Sequence, residues 1–186
     1  MELSLTRPLC FFDLETTGVN VAKDRVVEIS ILKVFPNGNK ESKTWLVNPE
    51  MPIPPQTTAV HGITDEKVAN EPIFKQLSKD IYKMIKGSDL AGFNSDRFDI
   101  PLLAEEMLRA EIDVDFKKYL TVDVQTIFHK MEKRNLSAAY KFYCGKDLDN
   151  AHSAEADTNA TYEVLKSQIE KYDELENDVS KLSAFS

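Results

Sequence analysis

Cysteine is scarce in this sequence. Only Cys10 and Cys144 occur among 186 residues, so no disulfide framework is expected, and we predict a reduced, cytoplasmic protein. Cys10 falls inside an apolar run, where a thiol packs rather than reacts.

Long apolar runs and an excess of positive charge are also missing. No run approaches the length of a membrane span, and the first residues lack the basic start of a secretion signal, so no membrane association is expected. The formal net charge is −8, which disfavours a passive nucleic-acid-binding module. It does not disfavour a nuclease whose acids hold metal ions, because the ions then supply positive charge at the phosphate.

The sequence has no repeat, no low-complexity tract and no internal linker. Its 42% hydrophobic content suits one well-packed domain. We predict a domain over residues 1–173, followed by a C-terminal tail or short helix over residues 174–186. Leu175, Val179 and Leu182 have helical spacing there, and packing on the chain's own domain is favoured over a tether to a polymerase.

The order of predicted elements indicates an α/β fold built on a mixed sheet. Apolar runs bounded by turn residues predict strands over 9–15, 25–35, 43–47, 89–94 and 119–122. Helical periodicity predicts helices from Pro72, over 98–110 with Leu102, Leu103, Met107 and Leu108 facing inward, after 122, near 137–143 and over 153–172. Four prolines predict an extended crossing over 48–56. Strands followed by alternating helices and strands give a sheet with helices on its faces.

The first strand ends in an unusual way, with the sequence "FFDLETTG" from Phe11 to Gly18. Asp13 and Glu15 are two positions apart, so both point to the same side of the strand, about 7 Å apart along it. Two carboxylates so placed repel, and burial raises the cost. A divalent cation bound between the two carboxylates would remove this repulsion. The alternative interpretation is that the strand has already ended and that both acids are solvated in a turn.

Two further segments carry chemistry. Asp99, in "GFNSDRFDIPLL", falls at a helix start, where an acid is also favoured by the helix dipole alone; Asp96 is more typical of a solvated cap. In "HSAEAD", His152 lies in a loop or first helical turn, and Asp157 follows five residues later beside the apolar stripe of the last helix. Taken singly, both residues also have structural interpretations, Asp157 as a paired helix acid and His152 as a helix-start residue.

Together these segments supply four oxygen ligands and one histidine. Oxygen donors suit Mg²⁺ or Mn²⁺ rather than zinc, which favours histidine and cysteine. Metal pairs bridged by acids roughly 4 Å apart catalyse displacement at phosphorus, and a histidine of near-neutral pKa can deprotonate the attacking water.

The motifs resemble those of the DEDDh 3′–5′ exonucleases, the group that includes the epsilon subunit of bacterial DNA polymerase III and ribonuclease T. "FDLETTG" is similar to the first motif, "FDIPLL" to the second and "HSAEAD" to the third, with "VHGIT" matching a segment of the epsilon-like branch. The resemblance implies a ribonuclease H-like fold with a five-stranded mixed sheet flanked by helices.

The resemblance also implies an activity. It implies a hydrolase that removes nucleotides from the 3′ end of single-stranded nucleic acid and releases nucleoside 5′-monophosphates. We expect DNA rather than RNA as the substrate, but no residue of the sequence discriminates between them, so this preference stays open. The resemblance implies that two Mg²⁺ or Mn²⁺ ions are held by Asp13, Glu15, Asp99 and Asp157, and that His152 is the general base.

Substrate contacts follow from the same resemblance. Thr16 and Thr17 would lie near the terminal nucleotide, and Leu14 or His61 would line its pocket. Phe98 would flank that pocket or pack in the core, and His61 would contact substrate or only order its loop.

Two departures from the epsilon pattern leave the biological role open. Asn94 stands five residues before Asp99 rather than four, and Gln56 stands where a glutamate is common. A proofreading or repair role, a DNA polymerase partner and the oligomeric state are therefore open. The alternative function is a catalytically silent module of this fold associated with a polymerase.

The stretch before His152 is locally basic. Two interpretations of this stretch are open. It is either a solvated helix face, or a surface that binds the phosphates of a single strand, with Tyr140 or Phe142 stacking on a base. Its basic residues are Lys117, Lys118, Lys130, Lys133, Arg134, Lys141 and Lys146.

Overall fold

Residues 1–186 are all described by a computed structural model, in which the chain divides into two units. Unit 1 comprises Met1–Ile127, and unit 2 comprises Phe128–Ser186. None of the helices combines the length and the apolar character needed to traverse a bilayer.

A five-stranded mixed sheet forms the centre of unit 1, in the order β3-β2-β1-β4-β5. Strands β1, β2 and β3 are antiparallel, whereas β4 is parallel to β1 and β5 is parallel to β4. This arrangement confirms the predicted meander and mixed sheet. The strands are β1 (Leu9–Thr16), β2 (Val26–Val34), β3 (Lys40–Leu46), β4 (Asp89–Gly92) and β5 (Thr121–Asp123).

The turn between β2 and β3 is the one indicated by the "PNGN" sequence at 36–39. The Phe35 N–H donates to the Asn39 carbonyl at 2.9 Å, and the Gly38 N–H donates to the Phe35 carbonyl at 2.8 Å. Gly38 has a φ of 87°, which glycine adopts without the steric cost of a side chain. Strand β3 begins at Lys40 rather than at the predicted residue 43, whereas β2 ends at Val34, one residue before its predicted end.

The helices broadly follow the predicted pattern. Thr64 caps α2 as expected, since its Oγ1 accepts from the Lys67 N–H at 3.2 Å. The predicted extended crossing over 48–56 is wrong at its end, because Pro55 opens a helix, and proline is favoured at the first helical position. The helices are α1 (Pro55–His61), α2 (Asp65–Val68), α3 (Phe74–Ile85), α4 (Ile100–Arg109), α5 (Val124–Met131), α6 (Leu136–Cys144), α7 (Ala154–Lys171) and α8 (Val179–Phe185).

Helix α4 differs from prediction in which residue faces the core. Leu102, Leu103 and Met107 are buried, but Leu108 is 71% exposed, so its predicted inward position is wrong. Glu106 occupies the inward face instead and is only 1% exposed. Its carboxylate pairs with the guanidinium groups of Arg25 and Arg109, which supplies the partners that a buried charge requires.

Unit 2 is helical and has little interior. Only Ala160 and Val164 of α7 are buried. Polar pairs join α6 to the region of α7: the Tyr140 hydroxyl donates to Glu163 at 2.7 Å, and the hydroxyls of Tyr143 and Tyr172 lie 3.0 Å apart. The short helix α8 falls within 174–186, the segment for which a tail or short helix was expected.

Candidate active site

The end of β1 carries the two acids of the first motif. Residues Phe12, Leu14 and Thr16 are buried on one side of the strand, whereas Asp13 is exposed and Glu15 half-buried on the other. The strand continues through Thr16, so the alternative in which it ends before the acids is wrong. Asp13 and Glu15 therefore project from the same side of a formed strand, as their spacing predicts.

Asp99 lies against this strand end although it is far away in the sequence. It closes a single π-helical turn, Ser95–Asp99, that leads into α4, and it is 3% exposed. Its Oδ1 accepts a hydrogen bond from the Leu14 N–H at 3.2 Å. The second motif is thus joined directly to the residue between the two acids of the first.

The negative charge of Asp13 acts on both Glu15 and Asp99. Burial, followed by the negative charge of Asp13, raises the pKa of Asp99 to about 7. Burial also raises the pKa of Asp13, and burial together with the Asp13 charge raises the pKa of Glu15. Acids in such surroundings resist ionisation, and a bound cation reverses that preference.

The donor chemistry of this cluster fits Mg²⁺ or Mn²⁺, since its side chains offer only carboxylate oxygens. The like-charge cost among Asp13, Glu15 and Asp99 is of the kind that a cation offsets. Within unit 1, no group of three or more histidine, cysteine, aspartate or glutamate side chains is arranged so that it could hold a metal ion.

Another buried acid near this site, Asp123, was not identified from the sequence. It ends β5 and is 6% exposed. Its Oδ1 accepts from the N–H groups of Asn94 at 2.9 Å and Gln125 at 3.0 Å, and its Oδ2 accepts from the Asp96 N–H at 3.2 Å. The available signal was an acid directly after a short strand neighbouring the one that leads to Asp99, but the predicted strand stopped at Val122.

The first two predicted substrate contacts make internal hydrogen bonds. The Thr16 hydroxyl donates to the Gly18 carbonyl at 2.6 Å. The Thr17 hydroxyl donates to Asp24 Oδ1 at 2.8 Å and accepts from the Arg25 N–H at 3.0 Å. Both threonines are buried, so their side chains hold the loop after β1.

Two further predicted substrate contacts, Leu14 and Phe98, pack within the protein. The Leu14 side chain belongs to the core, and its backbone N–H is the group that meets Asp99. Phe98 is partly buried and packs against the core, as one of its two predicted positions required.

His61 uses both ring nitrogens within the protein. Its Nδ1 accepts from the Ile63 N–H at 3.0 Å, which leaves Nε2 as the donor to the Thr16 carbonyl, also at 3.0 Å. These two hydrogen bonds order the loop of His61 and connect it to the end of β1; whether His61 also contacts substrate stays a prediction.

The third motif lies in unit 2. Asp157 occupies the first turn of α7, and His152 precedes that helix with a φ of 76°. The two are joined through the backbone, because the His152 N–H donates to Asp157 Oδ1 at 3.3 Å. The residue His152 is exposed.

The basic stretch is partly neutralised within unit 2. Lys141 pairs with Asp147 at 3.2 Å, and Lys146 lies 3.7 Å from Glu163. Phe142 is exposed and has the Lys171 ammonium 4.8 Å from its ring centre. A solvated helix face and a nucleic-acid track both remain compatible with these contacts.

Comparison with known proteins agrees with the motifs. The RNase T family model, described as an exonuclease, matches residues 10–165. The DNA polymerase III subunit epsilon of Treponema pallidum is 29% identical over 170 residues, which cover 85% of this chain and 74% of that protein. The 3′-5′ exonuclease DinG of Staphylococcus haemolyticus is 29% identical over 172 residues, but these represent 91% of this chain and only 19% of DinG.

Solved structures show the same fold. Escherichia coli exonuclease I in complex with a dT13 oligonucleotide superposes with a TM-score of 0.62 at 18% identity, over 91% of this chain and 42% of that chain. At this identity the likeness establishes the ribonuclease H-like fold with its five-stranded mixed sheet. Because the family model spans most of the sequence, including all three motifs, this chain belongs to the exonuclease family and is an exonuclease domain.

Proposed function

We propose that this protein is a metal-dependent 3′→5′ exonuclease that hydrolyses single-stranded nucleic acid from its 3′ end and releases nucleoside 5′-monophosphates. The observation that carries the proposal is the contact between Asp99 and the Leu14 N–H beside Asp13. It joins acids from two distant motifs in one electrostatically coupled cluster, in a chain whose family is that of exonucleases.

The metal ligands we propose are Asp13, Glu15 and Asp99 from unit 1, together with Asp157 from the third motif. Two Mg²⁺ or Mn²⁺ ions held by such a set supply positive charge to the phosphate and lower the pKa of water. Support for the unit 1 ligands comes from their raised pKa values and shared surroundings. Support for Asp157 comes from its place in the family motif.

We assign His152 the role of general base. A general base must be within reach of the attacking water, and His152 is an exposed residue. The hydrogen bond from the His152 backbone N–H to the Asp157 carboxylate connects the proposed base to one proposed metal ligand. This pairing supports their joint action on one attacking water.

Relatives support the proposed substrate and direction. DinG is named a 3′-5′ exonuclease, and exonuclease I was solved with a single-stranded oligodeoxynucleotide. We propose DNA as the favoured substrate, with the terminal nucleotide bound near Leu14, Thr16, Thr17, His61 and Phe98. Since the epsilon relative is a polymerase subunit, a polymerase partner is one candidate, and a cytoplasmic location is the expectation from the cysteine content.

The test is digestion of matched oligonucleotides. DNA and RNA strands labelled at either the 3′ or the 5′ end are incubated with Mg²⁺, Mn²⁺ or a chelator, and the products are identified by mass. We expect loss of the 3′ label first, a ladder from the 5′-labelled strand, and no reaction in chelator or with Asp13→Asn.

The matched control is Asp80→Asn, which alters an exposed acid on α3 outside the cluster and should keep full activity. A wild-type protein that degrades no labelled strand with either metal would favour the catalytically silent module and overturn the proposal.

A further inference from the structure

The backbone that presents Asp99 has an unusual course. Asn94 is in the left-handed region with a φ of 61°, and the π-helical turn Ser95–Asp99 follows. Both features cost conformational energy, and isolated π turns frequently mark functional sites. Something in the surrounding structure must therefore hold this segment in place.

Close packing is one constraint on this segment. A methyl group added at Gly92 would lie 2.7 Å from the Ser95 Cβ and 3.1 Å from the Phe12 carbonyl oxygen. The start of the turn is thus pressed against both β1 and the end of β4, and the backbone there has little freedom to shift.

The second constraint is the carboxylate of Asp123. Its two oxygens divide three backbone donors: Oδ1 takes Asn94 and Gln125, and Oδ2 takes Asp96. Asn94 is the left-handed residue, and Asp96 lies inside the π turn. Hydrogen bonds from backbone N–H groups to a buried carboxylate are about twice as strong as those between neutral groups.

We propose that Asp123 is a positioning residue for the exonuclease reaction. Its carboxylate clamps the left-handed residue and the following turn, and so places the Asp99 carboxylate at the Leu14 N–H beside Asp13. Asp123 contacts neither metal nor substrate in this assignment, and it acts only through Asp99. The inference rests on the proposed function, because Asp99 is one of its metal ligands.

Two substitutions of Asp123 remove different numbers of its hydrogen bonds and so test its role. Asp123→Asn keeps an oxygen able to accept from Asn94 and Gln125, but it turns an N–H₂ group toward the Asp96 N–H, so the hydrogen bond inside the turn is lost together with the negative charge of Asp123. Asp123→Ala removes all three bonds. Since small displacements of reacting groups cost up to about 10²-fold in rate, we expect kcat to fall about 10-fold in Asp123→Asn and about 10²-fold in Asp123→Ala, with KM for the oligonucleotide unchanged.

The matched control is Asp115→Asn. Asp115 also accepts a backbone N–H, that of Lys117 at 3.0 Å, but it caps a short 3₁₀ turn outside the cluster. The Asp115→Asn substitution should leave kcat unchanged. If Asp123→Ala does not fold, Asp123→Asn alone decides the question, with rates measured well below each variant's Tm.

A second readout does not depend on catalysis. Mn²⁺ binding to metal-free protein, followed by electron paramagnetic resonance, should weaken about 10-fold in Asp123→Asn and stay unchanged in Asp115→Asn. Unchanged kcat and Mn²⁺ affinity in Asp123→Asn, or a rise in KM alone, would overturn the positioning role. An inactive wild type whose Mn²⁺ affinity still depends on Asp123 would instead remove the proposed function, and with it the role in the reaction, but would still show that Asp123 positions Asp99 as a metal ligand.

Discussion

Unit 1 and unit 2 hold their motif residues by different means. In unit 1 the bonds are long-range: Leu14 meets Asp99 across 85 residues, and Asn94 meets Asp123 across 29. In unit 2 the bond between His152 and Asp157 spans only five residues. The acids of unit 1 are therefore fixed by the packed sheet, whereas the third motif is ordered by the local geometry of a helix start.

Their interiors differ in the same sense. Unit 1 has a continuous core drawn from the sheet and from helices α3 and α4, whereas the buried residues of unit 2 are Ala160 and Val164. Buried apolar area is the main favourable contribution to stability. The acids of unit 1 are thus held by a packed core, whereas the proposed base His152 belongs to a unit with few buried side chains.

The largest expected effect tests whether unit 2 is needed at all. His152→Ala should lower the rate of nucleotide release about 10²- to 10⁴-fold, because a general base contributes that much. It should retain the rise in Tm that Mn²⁺ gives the wild type, since the proposed unit 1 ligands are intact. His129→Ala, at an exposed histidine of α5, is the control; unchanged turnover in His152→Ala would remove the base assignment.

The next effect concerns the buried acid of α4. Glu106→Ala should lower the free energy of unfolding by about 3 kcal/mol, because it removes the ion-pair partner of Arg109 and leaves Arg25 with only Glu50, 3.9 Å away. Chemical denaturation followed by circular dichroism measures the change. Glu105→Ala, one residue earlier on the same helix, should change stability by less than about 0.5 kcal/mol. Equal effects of the two substitutions would show that the ion pairs do not stabilise unit 1.

A smaller effect concerns the ionisation of the Asp99 carboxyl group. Its pKa is raised from 3.8 to about 7 in the folded metal-free protein, so the stability associated with its protonated form is present below pH 4 and is lost as the pH rises through about 7. Asp99→Asn cannot ionise, and its Oδ1 can still accept from Leu14. In chelator it should therefore be more stable than the wild type by about 1–2 kcal/mol at pH 8 and no more stable at pH 4.

Thermal unfolding of both proteins at several pH values measures this difference. A stability difference that does not change with pH would contradict the prediction. Saturating Mn²⁺ should reverse the order at pH 8, because the ion favours the wild-type carboxylate.

The smallest effect concerns the interior of unit 2. Val164→Ala should cost about 1 kcal/mol, because it removes two buried methyl groups from a small interior that can partly collapse. Hydrogen exchange of the α7 amides should quicken, while the amides of β1 should be unaffected. Val179→Ala, at an exposed position of α8, is the control; faster exchange in β1 would show that the stabilities of the two units are coupled.

Much of the fold was predictable because its signals are local. Alternation along β1 placed Asp13 and Glu15 on one side, the "PNGN" turn gave the hairpin, and Thr64 marked a helix start. The inward face of α4 was predicted only in part, since hydrophobic periodicity ranks a leucine above a glutamate. Glu106 rather than Leu108 faces the core, because Arg25, which is distant in the sequence, pairs with the glutamate.

The sequence by itself determined the fold class, the family and the three motifs, because side-chain periods and motif spacing are properties of neighbouring residues. Only the tertiary structure decided that Asp99 meets the Leu14 N–H, that Asp123 holds the turn before it, and that the Thr17 hydroxyl is used inside the protein. Each of these depends on which distant backbone group lies opposite a side chain, and that pairing is set by how the strands and helices pack together.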